Sequence, residues 1–453
     1  MKWTLGRLAA LLAPVLLSAA APRPNILVIL ADDLGRGDYG AAGGPGLETP
    51  HLDRLAREGL TFQNWFANSP VCSPTRAALL TGCYPDRVGV PGVIREETPA
   101  DSWGYLQPGV PTLPQALAAG GYHSALIGKW HLGTRSPNTP NARGFDFFHG
   151  FLGDMMDDYW SHLRNGLNLM RQDQEVIAPE GHATDLFTAW ACQYLEDRAR
   201  AGGPFFLYLA YNAPHSPVQP PPAWLAQVQQ RHPELSPARA QLVALIEHLD
   251  HGVGQVLETL ERCRLAENTL VVFTSDNGGQ RNLAAHNGPW RGGKGELYEG
   301  GLRVPALARW PGKIAPHTST DRLTLTLDLF PTACAAAAVP VPAGIDGQSF
   351  LPALLGQEEI GAPRDLYFVR REGGADFGGK TIEALRRGDW KLLQNTAFGP
   401  IELYNLKRDP GETTNLAAEE PEIRRQLQQA LSEHLQRGGQ VPWQPPAAAR
   451  PGR

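Results

Sequence analysis

The sequence predicts an α/β fold, with a mainly parallel sheet flanked by helices and a smaller C-terminal α+β domain. Four short apolar runs, at 26–31, 124–127, 205–211 and 269–274, are continuous rather than alternating in polarity. Continuous runs are typical of strands that are buried on both faces of a parallel sheet. Helical patterns, such as those at 50–58 and 241–262, lie between the runs. Strands that alternate with helices favour a doubly wound sheet.

Polar residues follow each of the four apolar runs. They are Asp32 and Asp33, then the segment Gly128-Lys129-Trp130-His131, then Pro214 and His215, and finally Asp276 and Asn277. Any one of these groups alone is typical of a solvated loop. Because ligands bind outside the carboxyl ends of strands in open α/β sheets, four such groups together predict one shared site.

The pattern changes beyond about residue 342. Segments 365–370, 381–393 and 402–406 are separated by turn residues and indicate strands of a small antiparallel sheet. An amphipathic helix is predicted over 421–437. We therefore expect a catalytic domain over 22–341, a small domain over 342–440 and a mobile tail over 441–453.

The first 21 residues predict a cleavable signal peptide. Lys2 and Arg7 precede an apolar run at 8–17, and small residues follow at 18–21. The alternative is a membrane anchor, but about ten apolar residues are too few for a bilayer core that needs ~20. We expect an exported protein, periplasmic or secreted, without stable membrane insertion. The absence of an N-x-S/T glycosylation acceptor favours bacterial export.

Charge and cysteine content exclude other classes of protein. A formal net charge of −5 lacks the basic excess of a nucleic-acid-binding protein. The five cysteines show neither zinc-site spacing nor the pattern of a disulfide framework. An odd number in an exported chain leaves at least one cysteine unpaired or modified.

Two sets of residues carry the predicted chemistry. Asp32, Asp33, Asp276 and Asn277 offer only hard oxygen ligands, which suit Ca²⁺ or Mg²⁺, although acidic pairs also cap loops. Cys72 precedes Pro74 and an Ala-Leu run, so it should lie near a helix N-terminus, where an anion is favoured. The alternative for Cys72 is a small buried apolar residue.

These motifs resemble the type I, formylglycine-dependent sulfatases of the alkaline phosphatase superfamily, close to arylsulfatases and N-acetylgalactosamine-6-sulfatases. The signature is Cys72-x-Pro74-x-Arg76 followed by Thr81-Gly82. The resemblance covers nearly the whole chain, through Asp32-Asp33, 128–133, 213–215, 275–278, Gly293-Lys294, 299–303, 388–392 and 402–406. One difference is Cys83, where many members have Arg, and whether this thiol is only buried or affects maturation stays open.

The resemblance implies an alkaline-phosphatase-like fold and a role for each matched residue. Cys72 is expected to be converted to formylglycine by a maturation enzyme and, with Asp32, Asp33, Asp276 and Asn277, to bind one Ca²⁺. Arg76 and Lys129 are expected to hold the hydrated aldehyde, one hydroxyl of which attacks sulfur. His131 would deprotonate the other hydroxyl. His215 and Lys294 would bind the sulfate and protonate the leaving oxygen.

The expected activity is hydrolysis of sulfate esters in sulfated carbohydrates, or in aryl sulfates. Two alternatives remain: a formylglycine-dependent phosphodiesterase or phosphonate hydrolase, and a non-catalytic relative that binds sulfated glycans. Residues 154–162 are rich in carboxylates and aromatic rings, which suit either sugar contacts or ordinary loop packing.

Overall fold

The computed structural model describes residues 23–95, 102–357, 364–373 and 380–446, so the predicted signal peptide lies outside the described residues. Its strands are β1 (Asn25–Ala31), β2 (Leu60–Phe62), β3 (Trp65–Phe66), β4 (His123–Lys129), β5 (Phe147–Phe151), β6 (Leu163–Arg164), β7 (Leu167–Asn168), β8 (Met170–Gln172), β9 (Glu175–Val176), β10 (Phe205–Ala210), β11 (Thr269–Ser275), β12 (Ala306–Arg309), β13 (Thr318–Thr320), β14 (Thr324–Leu325), β15 (Asp365–Glu372), β16 (Lys380–Arg387), β17 (Trp390–Gln394) and β18 (Glu402–Asn405). Its helices are α1 (Pro50–Glu58), α2 (Cys72–Thr81), α3 (Leu113–Ala118), α4 (Ala183–Ala201), α5 (Pro222–Arg231), α6 (Pro237–Arg262), α7 (Glu299–Leu302), α8 (Leu329–Ala336), α9 (Leu351–Leu354) and α10 (Pro421–Gly438).

The main sheet of the described chain has ten strands in the order β13-β2-β12-β11-β1-β10-β4-β5-β8-β9. The four predicted strands are β1, β4, β10 and β11, and they are contiguous and parallel in the middle of this sheet. Every residue of β1, β10 and β11 is buried, as their continuous apolar sequences predict. The predicted α/β, alkaline-phosphatase-like fold is confirmed.

The central strands end level with one another. Ala31 at the end of β1 pairs with Ser275 at the end of β11, and Ala210 of β10 pairs with Gly128 of β4. Backbone hydrogen bonds continue just beyond the strands, since Asp276 N donates to Ala31 O. The residues that follow the four strands therefore meet at one edge of the sheet.

The helices form layers on the sheet, with α1, α4 and α5 packed on α6 and with α2 and α3 packed on α8. Helix α1 has the predicted bounds. The carboxylate of Asp250 on α6 accepts a hydrogen bond from the first turn of α1, from Leu52 N at 2.7 Å. Helix α6 begins four residues before the predicted start. Ser236 accepts from Arg239 N and Pro237 occupies the first turn, which is a start signal that the apolar pattern alone does not contain.

The small sheet has the order β15-β16-β17-β18 and is antiparallel. The single predicted strand over 381–393 is wrong: it forms two strands, because Gly388 adopts φ +57° and turns the chain between β16 and β17. Helix α10 packs on β16 and β17. Buried side chains of this sheet form one cluster with Phe66, Ala78 and Leu302 of the large domain, so the two domains share an apolar interface.

Residues 441–446 of the predicted tail are described and contact the large domain. Pro442 O accepts a hydrogen bond from Gln107 Nε2 at 2.6 Å. The indole of Trp443 stacks on that of Trp103, with ring centroids 4.7 Å apart. Residues 447–453 lie outside the described residues. Within the described part of the chain, no helix is both long enough and apolar enough to cross a membrane.

Candidate active site

Cys72 is the first residue of α2 and lies at the carboxyl edge of the main sheet. Val71 before it is extended, Pro74 is in the first turn, and Gly82 ends the helix at φ +67°. All ten residues of α2 are buried, and Cys72 is 3% exposed. The predicted position of Cys72 at a helix N-terminus is confirmed.

Lys294 also lies at this edge of the sheet, on a loop that does not follow any of the predicted strands. Its backbone N–H donates to Gly279 O at 3.1 Å, and the N–H of Gly295 donates to Pro70 O at 2.8 Å. These two bonds hold the loop between the segment that follows β11 and the segment that precedes α2.

A network of ion pairs surrounds the residues that follow β1 and β11. Arg76 donates through Nε and one terminal nitrogen to Asp276 Oδ2, at 3.0 and 2.8 Å, and through the other to Lys129 O at 3.1 Å. Lys129 Nζ donates to Asp32 Oδ2. Asn277 Nδ2 donates to Asp33 Oδ1 at 2.7 Å, and all six of these side chains are buried.

Two oxygen atoms in this network are buried without a hydrogen-bond partner, Asp32 Oδ1 and Asn277 Oδ1. Ligand atoms of Asp32, Asp33, Cys72 and His215 also lie within 4.8 Å of one another. Buried acceptors without donors are costly, and a hard cation that binds oxygen would satisfy them. Both oxygens of Asp276 already accept hydrogen bonds, from Arg76 and from Asp33 N. The residues therefore fit a Ca²⁺ ion, for which Asp32 and Asn277 offer free ligand atoms.

The charges in the site set the protonation states of the acids. Burial alone raises the pKa of Asp32, but the positive charges of Lys129 and Arg76 hold it far below its ordinary value. Burial and the neighbouring Asp32 raise the pKa of Asp276. Burial also raises the pKa of the Cys72 thiol to about 12. An unmodified Cys72 is therefore almost entirely protonated at neutral pH and is a poor nucleophile.

His131 is held with one nitrogen free. Its Nε2 donates to Ile94 O at 3.0 Å, and its Nδ1 is buried without a partner. The backbone of His131 is left-handed, at φ +61°. Burial, with the charges of Lys129 and Arg76, lowers the pKa of His131 well below its ordinary value. The ring is therefore neutral at pH 7 and has a lone pair on Nδ1, as a general base needs.

His215 and Lys294 form a hydrogen-bonded pair. His215 Nδ1 lies 2.7 Å from Ser216 O, so it carries the proton and leaves Nε2 to accept from Lys294 Nζ at 2.8 Å. Lys294 Nζ also donates to Asp33 Oδ2 at 2.7 Å. Burial lowers the pKa of His215. Burial opposes the charge of Lys294, but the carboxylate of Asp33 and its neighbours raise the pKa of Lys294 above its ordinary value.

The structure thus brings together every residue that the sequence singled out: Asp32, Asp33, Cys72, Arg76, Lys129, His131, His215, Asp276, Asn277 and Lys294. It adds one position that sequence reasoning missed, and it gives a residue of the 154–162 segment a role that the sequence did not predict. The carbonyl of Ile94 fixes His131, and no side-chain pattern identifies a backbone group. The hydroxyl of Tyr159 donates to His215 O at 2.9 Å and supports the loop of that histidine.

The structure also locates Cys83 and the 154–162 segment. Cys83 lies two residues beyond the C-terminal end of α2, where it is buried near Gly344. Cys72 is the first residue of this ten-residue helix, so the full length of α2 separates the two thiols. In the 154–162 segment, Asp154 and Asp157 bind Arg164, and Tyr159 is buried. Trp160 is 46% exposed and is the aromatic ring of this segment that reaches the surface.

Comparisons with known proteins agree with this geometry. A family model described as sulfatase matches residues 24–339, and one described as N-sulphoglucosamine sulphohydrolase, C-terminal, matches residues 293–438. The chain is similar to N-acetylgalactosamine-6-sulfatase of Canis lupus familiaris, at 35% identity over 397 residues, covering 83% of this chain and 72% of the relative. It is 34% identical over 485 residues to arylsulfatase A of Homo sapiens, covering 95% of this chain and 92% of the relative. The solved structure of Ps i-CgsB in complex with k-i-k-neocarrahexaose has a TM-score of 0.85 at 29% identity and covers 94% of this chain and 96% of that one.

Proposed function

Because the chain belongs to the sulfatase family and is a sulfuric ester hydrolase, we propose that it releases sulfate from sulfated carbohydrates, using formylglycine made from Cys72 and one bound Ca²⁺. The observation that carries this proposal is the position of Cys72. It lies at a helix N-terminus, among ligand atoms of Asp32, Asp33 and His215 that are all within 4.8 Å of one another. A helix N-terminus and a divalent cation both favour an anionic substrate group.

The thiol of Cys72 is itself an argument for modification. With its pKa raised to about 12 by burial, it offers almost no thiolate at neutral pH. A hydrated formylglycine supplies two hydroxyl groups on one carbon, one for attack on sulfur and one that allows the product to leave. Ca²⁺ would supply positive charge beside that group, held by Asp32, Asp33, Asp276 and Asn277.

The remaining residues bind the substrate and move protons. Arg76 and Lys129 position the carboxylates and add positive charge beside residue 72. Nδ1 of His131 is buried and its lone pair has no hydrogen-bond partner. This atom is therefore suited to accept a proton from the second hydroxyl of the hydrated formylglycine, the one that does not attack sulfur. His215 and Lys294 are the most exposed members of the cluster, at 8% and 18% of the side chain, and so meet the incoming sulfate and the leaving oxygen.

A sulfated carbohydrate is the proposed substrate class. The curated relatives include N-acetylgalactosamine-6-sulfatases, and the solved structure with the TM-score of 0.85 holds a neocarrahexaose. An aryl sulfate is the convenient assay substrate. We further propose that the protein is exported to the periplasm or secreted, and that a maturation enzyme modifies Cys72. Apolar residues at 8–17 after Lys2 and Arg7 support export.

The proposal is tested by turnover of matched esters. Purified active protein is assayed with sulfated oligosaccharides of defined linkage, an aryl sulfate, the corresponding aryl phosphodiester and a phosphonate ester. We expect the sulfate esters to react fastest, formylglycine or its hydrate to be found at position 72 by peptide mass spectrometry, and Cys72→Ala to abolish turnover. Cys83→Ala is the matched control and should retain activity, because Cys83 lies beyond the far end of α2.

Each alternative has its own result. Faster hydrolysis of the phosphodiester or phosphonate would assign the chain to that chemistry instead. Binding of sulfated oligosaccharides without turnover, in protein shown to carry formylglycine, would identify a non-catalytic relative. Full activity with unmodified cysteine at position 72 would overturn the proposed nucleophile.

A further inference from the structure

Arg36 is a buried cation without a counter-charge. It lies three residues after Asp33 and is 6% exposed. Its terminal nitrogens donate to Tyr39 Oη at 3.2 Å and to Gln63 Oε1 at 3.4 Å, and its Nε is buried without a partner. Among the described residues, it forms no ion pair. By contrast, Arg239 donates to Asp38 Oδ1 at 2.6 Å on the same loop.

A cavity of about 480 Å³ opens beside this guanidinium. Its walls include Arg36, Tyr39, Gln63, Trp290 and His317, and none of the residues that line it is acidic. Ligand sites in proteins commonly occupy about 300–1,000 Å³ and combine apolar or aromatic walls with a few polar groups. The cavity therefore has the size and the lining of a binding site for one anionic ring.

The charge of Arg36 favours an anion in this cavity. Burial of a cation is costly unless an anion or several hydrogen bonds compensate it. Here two neutral acceptors use two of the five guanidinium N–H groups. A sulfate or carboxylate in the cavity would supply the missing negative charge, and the planar guanidinium binds such groups through two parallel hydrogen bonds.

The Arg36 end of the cavity lies at the same edge of the sheet as Cys72, and the cavity extends from there towards Thr318, which pairs with Leu60 at the start of β2. Gln63 directly follows β2, which runs parallel to β11 because both are antiparallel to β12. Strand β2 is three positions from β1 in the sheet, or about 14 Å at ~4.8 Å per strand. A ligand that reaches both the catalytic centre and Arg36 must be longer than a single sugar ring.

We propose that this cavity is a second subsite, in which Arg36 binds a sulfate or carboxylate on a saccharide ring remote from the ring whose sulfate is removed. The inference rests on the proposed function and narrows its substrate to oligosaccharides that carry more than one anionic group. The half-buried Trp290 provides an aromatic face for that ring, and Arg36 provides its charge recognition.

The test uses a variant that changes the charge of the cavity without removing bulk. Gln63→Glu places a carboxylate next to Arg36, which should raise the melting temperature by compensating the buried charge and should repel an anionic ligand. Arg36→Gln removes the charge. Arg408→Gln is the control, because Arg408 is an exposed arginine of the small domain.

Kinetics are compared for an aryl sulfate and for a sulfated hexasaccharide with several anionic groups. Loss of a charged hydrogen bond costs about tenfold in affinity. We expect both cavity variants to raise KM for the hexasaccharide about tenfold and to leave kcat/KM for the aryl sulfate within about twofold. The control should match the parent enzyme with both substrates. Equal KM values for the hexasaccharide in parent and cavity variants, or an equal loss with both substrates, would overturn the subsite.

Calorimetric titration separates this inference from the proposed function. If no sulfate ester is hydrolysed, hexasaccharide binding that weakens in both Gln63→Glu and Arg36→Gln still supports the cavity, and unchanged binding refutes it. Inorganic sulfate is titrated as well. Binding of sulfate that depends on Arg36, without any effect of Arg36 on the hexasaccharide, would show an anion site that is unrelated to the saccharide and would overturn the proposal.

Discussion

Calcium binding should stabilise the protein by an amount that depends on Asn277. Oδ1 of Asn277 is buried without a hydrogen-bond partner, because its Nδ2 is oriented by Asp33 and by Gly278 O. The proposed ion would satisfy this atom and Asp32 Oδ1. The perturbation is Asn277→Leu, which keeps the volume of the side chain and removes the oxygen.

The expected size of the effect follows from ligand linkage. Free Ca²⁺ at 100 times its Kd adds about 2.7 kcal/mol to the free energy of unfolding. With an unfolding entropy of ~2.1 cal/mol/K per residue, a chain of 453 residues should show an increase of about 3 °C in melting temperature. If removal of one ligand weakens affinity about a hundredfold, the same Ca²⁺ concentration adds only about 0.4 kcal/mol, or less than about 1 °C.

Differential scanning calorimetry of chelated protein, with and without added Ca²⁺, measures both shifts. Asn25→Leu is the control, because Asn25 is a buried amide at the opposite end of β1 and binds Thr269 instead. It should lower the baseline melting temperature but keep the full Ca²⁺ shift. A parent protein without any Ca²⁺ shift would refute the metal site, and an equal shift in Asn277→Leu would remove Asn277 from its ligands.

Three further predictions concern the nucleophile, the base and the pH dependence of stability. In preparations in which different fractions of Cys72 have been converted to formylglycine, turnover should be proportional to that fraction, because burial raises the pKa of the unmodified thiol to about 12. A plot of turnover against the formylglycine fraction, measured by peptide mass spectrometry, should therefore pass through the origin, and an intercept well above zero would contradict this. His131→Ala should release about one equivalent of alcohol per site and then turn over slowly, since it removes the proposed base for the second step; steady turnover without a burst would reassign His131. Burial, then Arg437, lowers the pKa of His434 to about 4, so the unfolded chain binds the proton first and stability should fall as pH drops from about 6.5 towards 4. Melting temperatures across that range should fall less steeply in His434→Phe, which keeps the stacking on Tyr367, and equal slopes would show that His434 does not contribute.

The sequence predicted the central sheet because the strands there are buried on both faces. A continuous apolar run such as 269–274 is stable where both faces of the strand are buried, as in the middle of a parallel sheet, and the polar residues after it then lie at the binding edge. The hairpin between β16 and β17 was not predicted correctly. Both of its strands have apolar residues, and the turn depends on the single glycine at 388, whose left-handed backbone gives no periodic signal.

The site residues on strand ends could be predicted to converge, whereas Lys294 could be placed only by resemblance. Its loop is fixed by backbone hydrogen bonds to Gly279 and Pro70, which are remote in sequence and use no distinctive side chain. The same is true of Ile94, whose carbonyl selects the tautomer of His131. The sequence also could not predict a binding role for Arg36. Its burial without an ion pair is recognised only when its neighbours in the folded structure are known.

The tautomer of His215 shows which group can supply a proton to the leaving oxygen. His215 Nδ1 donates to Ser216 O, so the neutral ring presents only an acceptor, Nε2, and this atom binds Lys294. Lys294 therefore holds the proton of the pair, and in the proposed mechanism the two side chains deliver it as one unit. Removing either should cost nearly as much as removing both, because residues that act together are not additive. For a sulfated sugar, whose alcohol is a poor leaving group, we expect kcat/KM of the double variant His215→Ala with Lys294→Ala to lie within about threefold of the weaker single variant. A loss of kcat/KM in the double variant equal to the product of the two single-variant losses would show that the two residues act in separate steps.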